Sequence, residues 1–174
     1  MSAVTLVQLL AIMPLARLRA AAFLTPLNAA MVEFGITTPA RQASFLSQVG
    51  HESGQLRHVR ELASGQAYEG RVDLGNTQRG DGVRFRGRGL LQVTGRANYA
   101  ACGKALGLDL LAQPELLEQA VNACRSAGWF WQTKGLNALA DAGDQERVTR
   151  RINGGVNGLA ERLALFAVAQ RVLA

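Results

Sequence analysis

The 174-residue chain is 48% hydrophobic and 18% charged, a composition that excludes a disordered or low-complexity chain and predicts one folded unit. No internal repeat with a period of about 20 to 50 residues is visible, so a solenoid or an array is excluded as well. The net charge of +6 and the pI near 10.3 indicate nucleic acid, a membrane surface or a bacterial wall as partner, although a purely solubilising role fits equally well.

The first predicted element is a core helix in the apolar stretch Met1–Leu15, which is shorter than the roughly 20 residues that span a bilayer. The stretch also lacks the basic start and the small-residue cleavage site of a secretory signal, so we expect synthesis in the cytoplasm and no stable membrane insertion. Helical periodicity then runs over 16–34. It stops at Gly35, a residue suited to the left-handed turn that closes a helix.

A second helix is predicted to begin at Thr38 and to end at Gly54. Thr38 offers an N-cap, and Pro39 occupies the first helical position, where its missing N–H costs nothing. The segment 61–89 differs from it, because it holds seven glycines and few apolar side chains and therefore predicts a long loop or short strands. Loops of this length are usually functional.

Helical patterns resume in the second half of the chain. They start after Thr94, run from Pro114 to about Lys134, lie near 144–152 and end with 159–173. The sequence therefore predicts a mainly α fold in one domain over 1–174, with a small glycine-rich lobe over about 61–92 inserted in the helical body.

Glu52 lies seven residues after Phe45 and three after Val49, so it continues the buried stripe of its helix in the last turn. Apolar neighbours and the negative end of the helix dipole both disfavour a charged carboxylate there. The position therefore favours the protonated form that a general acid uses. The structural alternative is a carboxylate that reaches solvent or pairs with Arg57 or Arg60.

Glu61 is the next acid, and it lies in a polar stretch where a carboxylate would stay ionised. One protonated and one ionised carboxyl together form the pair that glycosidases use. Glu69, Asp73 and Asp81 in the same loop can fill the second role, so spacing alone does not select Glu61.

Metal and nucleophile chemistry are disfavoured, and we expect neither a metal nor an organic cofactor. His51 and Glu52 begin like a zinc-protease motif, but Gln55 stands where the second histidine is required. His51 is instead expected to orient the adjacent acid or to pack in the core. Cys102 and Cys124 give no metal-ligand spacing and are expected to be buried, reduced thiols. No serine stands in a G-x-S-x-G context.

Arg84, Arg86 and Arg88 alternate in sequence, which would place three guanidinium groups on one face of an extended strand. Such a ridge would suit a polyanion. Tyr68 and Phe85 supply few aromatic platforms for bases, so no specific nucleic acid is expected as partner.

Three ordered motifs carry a resemblance to a known family: QVGHESG at 48–54, YEGRVDLGNTQRGDGVRFRGRGLLQVTGRANY at 68–99 and RRINGG at 150–155. With these motifs the chain resembles glycoside hydrolase family 19, in particular the single-domain endolysins of phages and prophages that share the fold of class I chitinases. The resemblance implies a lysozyme-like helical domain with a substrate cleft, so that 1–174 forms a single catalytic domain.

The resemblance also implies a role for particular residues. Glu52 matches the proton donor of the family, and Glu61 matches the base of its shorter-loop members. Thr94 matches a hydroxyl that helps to hold the attacking water. The substrate-binding candidates, mostly amides that would hydrogen-bond the sugars, are Gln92, Asn98, Asn153, Arg162 and Tyr68.

Several of these residues have structural alternatives. Thr94 can cap a helix, Gln92 can bridge strands, and Asn153 can end a helix before its glycines. Tyr68 can either stack on a sugar or fill the small core of the lobe. Arg162 resembles a cationic position near the base of the family.

The implied reaction is hydrolysis of β-1,4 aminosugar links in peptidoglycan by single displacement with inversion. A chitinase and a catalytically inactive wall-binding module are the alternatives. The chain lacks the disulfide set and several cleft loops of the plant enzymes, which weakens the case for long-chain chitin. We expect a monomer that is made in the bacterial cytoplasm and acts on the cell wall after its release.

Overall fold

The computed structural model describes residues 3–174, and the backbone in this range is almost entirely helical. Its α-helices are α1 (Leu6–Ile12), α2 (Ala20–Glu33), α3 (Pro39–Glu52), α4 (Asp81–Arg84), α5 (Arg96–Leu106), α6 (Ala120–Thr133), α7 (Leu136–Asp141), α8 (Gln145–Asn153) and α9 (Leu159–Leu173). Its short 3-10 helices are Pro14–Ala16, Gln66–Tyr68, Val72–Leu74 and Pro114–Glu118. Extended pairing between described residues is limited to two isolated bridges, Arg60 with Arg88 and Arg88 with Val93. The prediction of a mainly α fold is confirmed.

Helix α3 lies in the core and carries Glu52 on its last turn. The Thr38 hydroxyl accepts a hydrogen bond from the Arg41 amide at 3.2 Å, which confirms the predicted N-cap. Phe45 on the inner face of α3 is fully buried and meets the ring of Trp131 edge to face, with 5.3 Å between the ring centroids. Helix α9 packs along α3, and this contact brings the start of α9 to the end of α3.

A tight turn follows α3 and directs the chain towards Glu61. The Ser53 hydroxyl donates to the Val49 carbonyl at 2.6 Å and accepts from the Leu56 amide at 2.8 Å. Gln55 and Leu56 both adopt left-handed backbone angles, with φ of 59° and 67°. Such angles are uncommon for residues other than glycine, and here the buried Leu56 side chain and the serine bonds hold them in place.

The glycine-rich lobe is tied together by two acidic side chains. Glu69 accepts from the amides of Gly80 and Gly82 at 2.6 and 2.8 Å. The buried Asp81 side chain accepts two bonds from Arg96 on α5, at 2.8 and 2.6 Å. These charge-assisted bonds act together with the buried Phe85 ring, which packs on Tyr99 of α5, to fix the lobe against the helical body. The lobe is mostly loop, as predicted, although α4 within it was not expected.

The predicted ridge of Arg84, Arg86 and Arg88 is wrong. Arg84 ends α4 and donates to two carbonyl oxygens of the 111–112 segment at 2.8 and 2.9 Å. Arg88 is buried, and its Nε donates to Glu118 at 2.8 Å. The helical turn breaks the alternation that an extended strand requires, and the three side chains do not form one exposed face.

The first helices are shorter than predicted. Helix α1 ends at Ile12, because Pro14 disfavours helical geometry at the residue before it. Met13 accordingly adopts φ −126° and ψ 72°. Helix α2 begins at Ala20 instead of residue 16, after a short 3-10 turn. Residues 1–2 of the predicted first helix lie outside the described range.

The segment after Pro114 is not one helix. Gln119 adopts an extended backbone, with ψ 138°, and separates the 3-10 turn before it from α6. Helix α7 was not predicted, because its six residues are too few to show a helical period. Its Leu136 and Leu139 side chains are buried, so tertiary packing stabilises this helix.

No helix among residues 3–174 is both long and apolar enough to cross a bilayer. Cys102 and Cys124 are free and buried, as predicted. Burial raises the pKa of Cys102 to about 12 and also raises the pKa of Cys124. The two thiols therefore stay protonated near neutral pH and act as small apolar core residues.

Acid should weaken the fold through carboxylates that lose their arginine partners on protonation. The pairs are Asp81–Arg96, Asp141–Arg41 and Glu33–Arg125. A hydrogen bond from arginine is the main cause that lowers the pKa of each carboxyl below its ordinary value, 3.8 for Asp and 4.5 for Glu. The stability they contribute is therefore complete above about pH 5 and declines as the pH falls through the ordinary values towards the lowered ones.

Asp81→Asn isolates the most buried of these carboxylates. Near neutral pH we expect the free energy of unfolding to fall by about 3 kcal/mol, because Arg96 loses its charged partner at a buried site. Asp73→Asn is the matched control, since Asp73 pairs with Arg71 on the surface and should show no measurable change. Urea unfolding followed by circular dichroism measures both, and equal losses in the two variants would contradict this view of the lobe.

Candidate active site

Glu52 is half-buried and paired with a cation. Its Oε1 accepts a hydrogen bond from Nη2 of Arg162 on α9 at 2.5 Å. The apolar surroundings expected for Glu52 are therefore incomplete. Arg162 lies 110 positions away in sequence, so the periodicity of α3 could not indicate this partner. The alternative pairings are not observed: Arg57 donates to the Gly54 carbonyl, and Arg60 lies 3.7 Å from a different glutamate.

Arg162 belongs to a buried polar network that joins three helices. The side chain is 1% exposed, and Nη1 donates to Gln48 Oε1 of α3 at 2.5 Å. Its Nε donates to the Asn157 carbonyl at 3.2 Å, while Gln48 donates to the Thr149 hydroxyl of α8 at 3.3 Å. Partners on several sides fix the guanidinium and hence the orientation of Glu52. Arg162 thus lies beside the predicted acid, not beside the predicted base, and is shielded from solvent.

His51 links the end of α3 to the start of α9 by a hydrogen bond. Its Nδ1 lies 2.8 Å from Glu161 Oε2. Its ring covers Gly158, where a Cβ would come within 2.2 Å of the ring carbon Cε1. Gly158 also has φ 71°, so both the close approach and the backbone angle require glycine there. His51 is half-buried and hydrogen-bonds to Glu161, so among the described residues it neither packs fully in the core nor bonds to the acid.

Glu61 presents one occupied and one unoccupied carboxylate oxygen. Its Oε2 accepts a hydrogen bond from the Tyr68 hydroxyl at 3.0 Å, and its amide donates to the Gly87 carbonyl at 3.0 Å. Its Oε1 is buried and has no hydrogen-bond partner among residues 3–174. Burial, and then the bond to Glu61, raise the pKa of Tyr68, so the phenol remains a neutral donor. A buried acceptor without a partner is a place for water or substrate.

The other candidate acids of the lobe are already engaged. Glu69 accepts the backbone amides that hold the lobe, Asp73 pairs with Arg71, and Asp81 pairs with Arg96. Their carboxylates perform structural roles within the lobe. The structure therefore separates Glu61 from the acids that spacing alone could not distinguish.

Gln92, Thr94 and Asn98 line one cavity of about 340 Å³. The Thr94 hydroxyl donates to the Gln92 carbonyl at 3.2 Å, and the Asn98 amide donates to the Thr94 carbonyl at 2.8 Å. Thr94 does not cap α5, whose N-cap is Gly95 without a side-chain bond. The three side chains predicted around the attacking water and the sugar thus share one wall.

Gly87 brings this cavity next to Glu61. A Cβ at Gly87 would lie 2.1 Å from Gln92 Oε1 and 2.9 Å from Glu61 Oε2, so only glycine leaves room for both side chains. Gln92 itself has φ 49°, in the left-handed region, and this backbone presents its side chain beside Glu61. The predicted base, the Tyr68 hydroxyl and the Gln92 amide therefore form one cluster.

Asn153 lies on the other side of the site, near Arg162. It is the last residue of α8, before Gly154 in the left-handed conformation, as the structural alternative expected. Its side-chain amide lies 3.5 Å from the Asn157 carbonyl that also accepts from Arg162. It is exposed and does not line the cavity of Thr94.

The aromatic wall of this cavity was not predicted from the sequence. Trp129 and Phe130 of α6 line it, together with Lys134 directly after this helix. None of the three was a predicted site residue. Trp129 and Phe130 stand next to Trp131, which is fully buried in the core. The sequence alone does not distinguish these three aromatic residues from one another, since all of them fit a core stripe. Half-exposed aromatic rings beside amides are suited to the faces and polar groups of sugars.

No group of three or more His, Cys, Asp or Glu side chains within 3–174 is arranged to hold a metal ion. The acidic groups of the site are the two carboxylates, Glu52 and Glu61. One carboxylate is fixed by a buried guanidinium, and the other has an oxygen without a partner among the described residues. Gln92 lies next to this second carboxylate and lines a cavity that also has hydroxyl and aromatic groups in its wall. This arrangement suits acid and base catalysis.

Replacing Arg162 by methionine should damage both stability and activity. The change leaves Gln48 and Glu52 without their buried partner, so we expect the free energy of unfolding to fall by about 3 kcal/mol. The misplaced Glu52 should lower kcat by about a hundredfold. Arg150→Met is the matched control, since its exposed pair with Glu146 contributes about 0.5 kcal/mol or less. Urea denaturation measures the stability of both variants, and initial rates measure kcat. An Arg162→Met variant as active as wild type would show that the network does not orient Glu52.

Comparison with known proteins gives the family. The sequence profile described as chitinase class I, of the Glyco_hydro_19 family, matches residues 37–144. A glycosyl hydrolase family 19 domain-containing protein of Haemophilus influenzae is 33% identical over 172 residues, which cover 80% of this chain and 84% of that protein. An endochitinase of Arabidopsis thaliana is 36% identical over 114 residues, which cover 65% of this chain and 38% of the plant protein.

Solved structures agree on the fold. Chitinase C from Streptomyces griseus superposes with a TM-score of 0.80 at 24% identity and covers 98% of this chain and 92% of its own. The class IV chitinase of Zea mays superposes with a TM-score of 0.69 at 26% identity, over 88% of this chain and 80% of its own. The predicted lysozyme-like helical fold is thus confirmed. The chain belongs to the class I chitinase family, glycoside hydrolase family 19, and is a glycoside hydrolase.

Proposed function

We propose that this glycosidase hydrolyses the β-1,4 aminosugar links of bacterial peptidoglycan by single displacement with inversion. The observation that carries the mechanism is the contrast between two carboxylates. Glu52 is held through one oxygen by Arg162. Glu61 keeps a buried oxygen without a partner among the described residues and lies next to Gln92, which lines the cavity of Thr94. Inversion requires about 6.5–9.5 Å between such carboxyls, so that a water fits between base and sugar.

In the proposed reaction, Glu52 donates a proton to the glycosidic oxygen. Arg162 occupies Oε1, and Oε2 has no hydrogen-bond partner among the described residues, which leaves that oxygen to carry the proton. Glu61 removes a proton from water through Oε1, while Tyr68 steadies Oε2. We assign the Thr94 hydroxyl, which lines the cavity next to Gln92, to hold that water. Attack then comes from the face opposite the leaving group.

Charge supports peptidoglycan as the substrate. The net charge of +6 suits a polymer whose peptide stems carry carboxylates, whereas chitin is uncharged. We further propose that the protein acts as a monomer on the cell wall, after release from the bacterial cytoplasm in which it is made.

Chitin is the second candidate substrate, because the relatives named above include endochitinases. The chain spans well under half of the length of the plant endochitinases that it matches, so their substrate does not carry over directly.

The test is the release of reducing ends from purified peptidoglycan and, in parallel, from a soluble chitin oligomer. Glu52→Gln, purified identically, controls for contaminating hydrolases. Release from peptidoglycan at a higher kcat/KM than from the oligomer supports the proposal. Release from the oligomer alone makes the protein a chitinase, and release from neither substrate makes it a wall-binding module without catalysis.

A further inference from the structure

Four arginine side chains line a second cavity, of about 310 Å³, whose wall also includes Glu61. These arginines are Arg19, Arg57, Arg60 and Arg86. The acids in the wall are Glu61 and Glu118, so the cations exceed the anions. A concave site with one excess sign of charge concentrates ligands of the opposite sign.

Glu118 offsets part of this charge without occupying the hydrogen-bond donors of Arg60. Its Oε1 is held by Arg88, which lies outside the cavity lining, at 2.8 Å. Its Oε2 lies 3.7 Å from Arg60, beyond hydrogen-bond range. Arg60 therefore keeps donors free for another partner.

The remaining arginines have no carboxylate partner within 3–174. Arg19 donates to the Arg57 carbonyl at 3.0 Å, and Arg57 donates to the Gly54 carbonyl at 2.8 Å. Both acceptors are neutral. Arg86 Nε is buried and makes no hydrogen bond to any described residue. An unsatisfied buried donor leaves a place for an acceptor that the described residues do not supply, and the positive charge of the guanidinium favours an anionic one.

Several arginines elsewhere in the fold form close ion pairs with carboxylates. Arg41, Arg96 and Arg125 each hold a carboxylate, at 2.6, 2.6 and 2.7 Å. In the cavity beside Glu61, Arg19, Arg57 and Arg86 have no carboxylate partner among the described residues, and they lie together in one concave wall. The guanidinium fork matches a carboxylate in two parallel bonds, which makes a carboxylate the ligand class that this cavity fits.

Glu61 connects the cavity to the substrate, because it lines the cavity and also carries the oxygen proposed to activate water. A sugar positioned at Glu61 therefore directs one of its substituents towards the arginines. N-acetylglucosamine carries no anionic substituent. Muramic acid carries a lactyl group that ends in a carboxylate or continues into a peptide stem with its own carboxylates.

We propose that Arg19, Arg57, Arg60 and Arg86 form a subsite for the carboxylates on the lactyl-peptide substituent of muramic acid. The subsite gives the enzyme its preference for peptidoglycan over chitin. This inference rests on the proposed function and names the part of the substrate that the arginine subsite binds.

The main test uses the double variant Arg19→Gln/Arg57→Gln, because the half-buried Arg19 and the exposed Arg57 hydrogen-bond only to neutral carbonyls. Arg19 also lies over the Phe23 ring, so the fold of the variant is checked by a thermal melt. Arg79→Gln/Arg171→Gln is the matched control, since it removes the same charge from exposed side chains outside the cavity. Arg60→Gln provides a second cavity variant if the double variant unfolds. The substrates are peptidoglycan, glycan strands freed of peptides by an amidase, and a chitin oligomer.

On peptidoglycan, the double variant should lose about tenfold or more in kcat/KM, as expected for charged hydrogen bonds to a substrate. On the chitin oligomer its loss should stay below about twofold, since that substrate has no anion. The control should match wild type on all substrates. An equal loss on peptidoglycan and chitin, or an equal loss in the control variant, would overturn the subsite.

The stripped strands distinguish the two sources of carboxylate. They keep the lactyl carboxylate but lack the peptide. A loss that persists on them assigns the arginines to the lactyl group, and a loss confined to intact peptidoglycan assigns them to the peptide stem. Either result supports the subsite.

A binding titration separates this proposal from the proposed function. N-acetylmuramoyl dipeptide should bind wild type saturably and the double variant about tenfold more weakly, with the control unchanged. If that holds while wild type leaves peptidoglycan uncut, the proposed function fails and the subsite stands. If wild type cuts peptidoglycan but the dipeptide binds all three proteins equally, the subsite fails and the function stands.

Discussion

Glu52→Gln should lower kcat on peptidoglycan by about a thousandfold while leaving the fold intact, since a positioned general acid contributes about 10²–10⁴-fold. Glutamine has the shape of glutamate, and its carbonyl oxygen can still accept the bond from Arg162. The variant loses the ability to protonate the glycosidic oxygen. Initial rates of reducing-end release measure the effect, and circular dichroism with a thermal melt confirms that the variant is folded.

A leaving-group comparison assigns the role of Glu52 more sharply. An aryl glycoside with a nitrophenol leaving group departs without protonation, so Glu52→Gln should lose far less on it than on a sugar leaving group. Glu146→Gln, an exposed carboxylate on α8, is the matched control and should match wild type. A Glu52→Gln variant that keeps a tenth or more of wild-type kcat on peptidoglycan would remove Glu52 from the mechanism.

Glu61→Gln should lower kcat by about 10²–10⁴-fold, because the attacking water loses its base. Tyr68 can still hydrogen-bond the amide, so the local structure should persist. Azide needs no deprotonation, and it should restore turnover in Glu61→Gln and yield the α-glycosyl azide. The product is identified by proton NMR.

Two further variants control for this assignment. Asp73→Asn removes an exposed carboxylate of the same lobe and should leave kcat unchanged. Tyr68→Phe removes one hydrogen bond to Glu61 and should cost only about tenfold in kcat. Full activity in Glu61→Gln, or azide rescue of Glu52→Gln in its place, would reverse the roles of the two carboxylates.

The local parts of the fold could be predicted from the sequence. The cap at Thr38 and the apolar stripe of α3 placed Glu52 on the last turn of a buried helix, where the structure has it. Its partner Arg162 could not be derived from local periodicity, because the contact joins positions 110 apart. Similarity of motifs suggested a functional cation there but associated it with the base, and the packing of α9 on α3 places it at the acid.

The structure of the glycine-rich lobe could not be predicted from the alternation of its residues. Arg84, Arg86 and Arg88 alternate as a strand would, yet the ion pair of Asp81 with Arg96 and the turn of α4 give each arginine a different partner. Tertiary contacts override a short-range pattern in so polar a segment. The choice of Glu61 also needed the structure, because only the contacts show which lobe carboxylates are already engaged.

The most direct test of the acid and base assignment is the anomeric configuration of the first product. Wild type would cleave a soluble β-1,4-linked N-acetylglucosamine oligomer in an NMR tube, and the new reducing end would be observed before it mutarotates. We expect the α-anomer to appear first, because Glu61 directs water to the face opposite the leaving group. Initial release of the β-anomer would mean retention, which requires carboxyls about 5–5.5 Å apart, and would contradict the account.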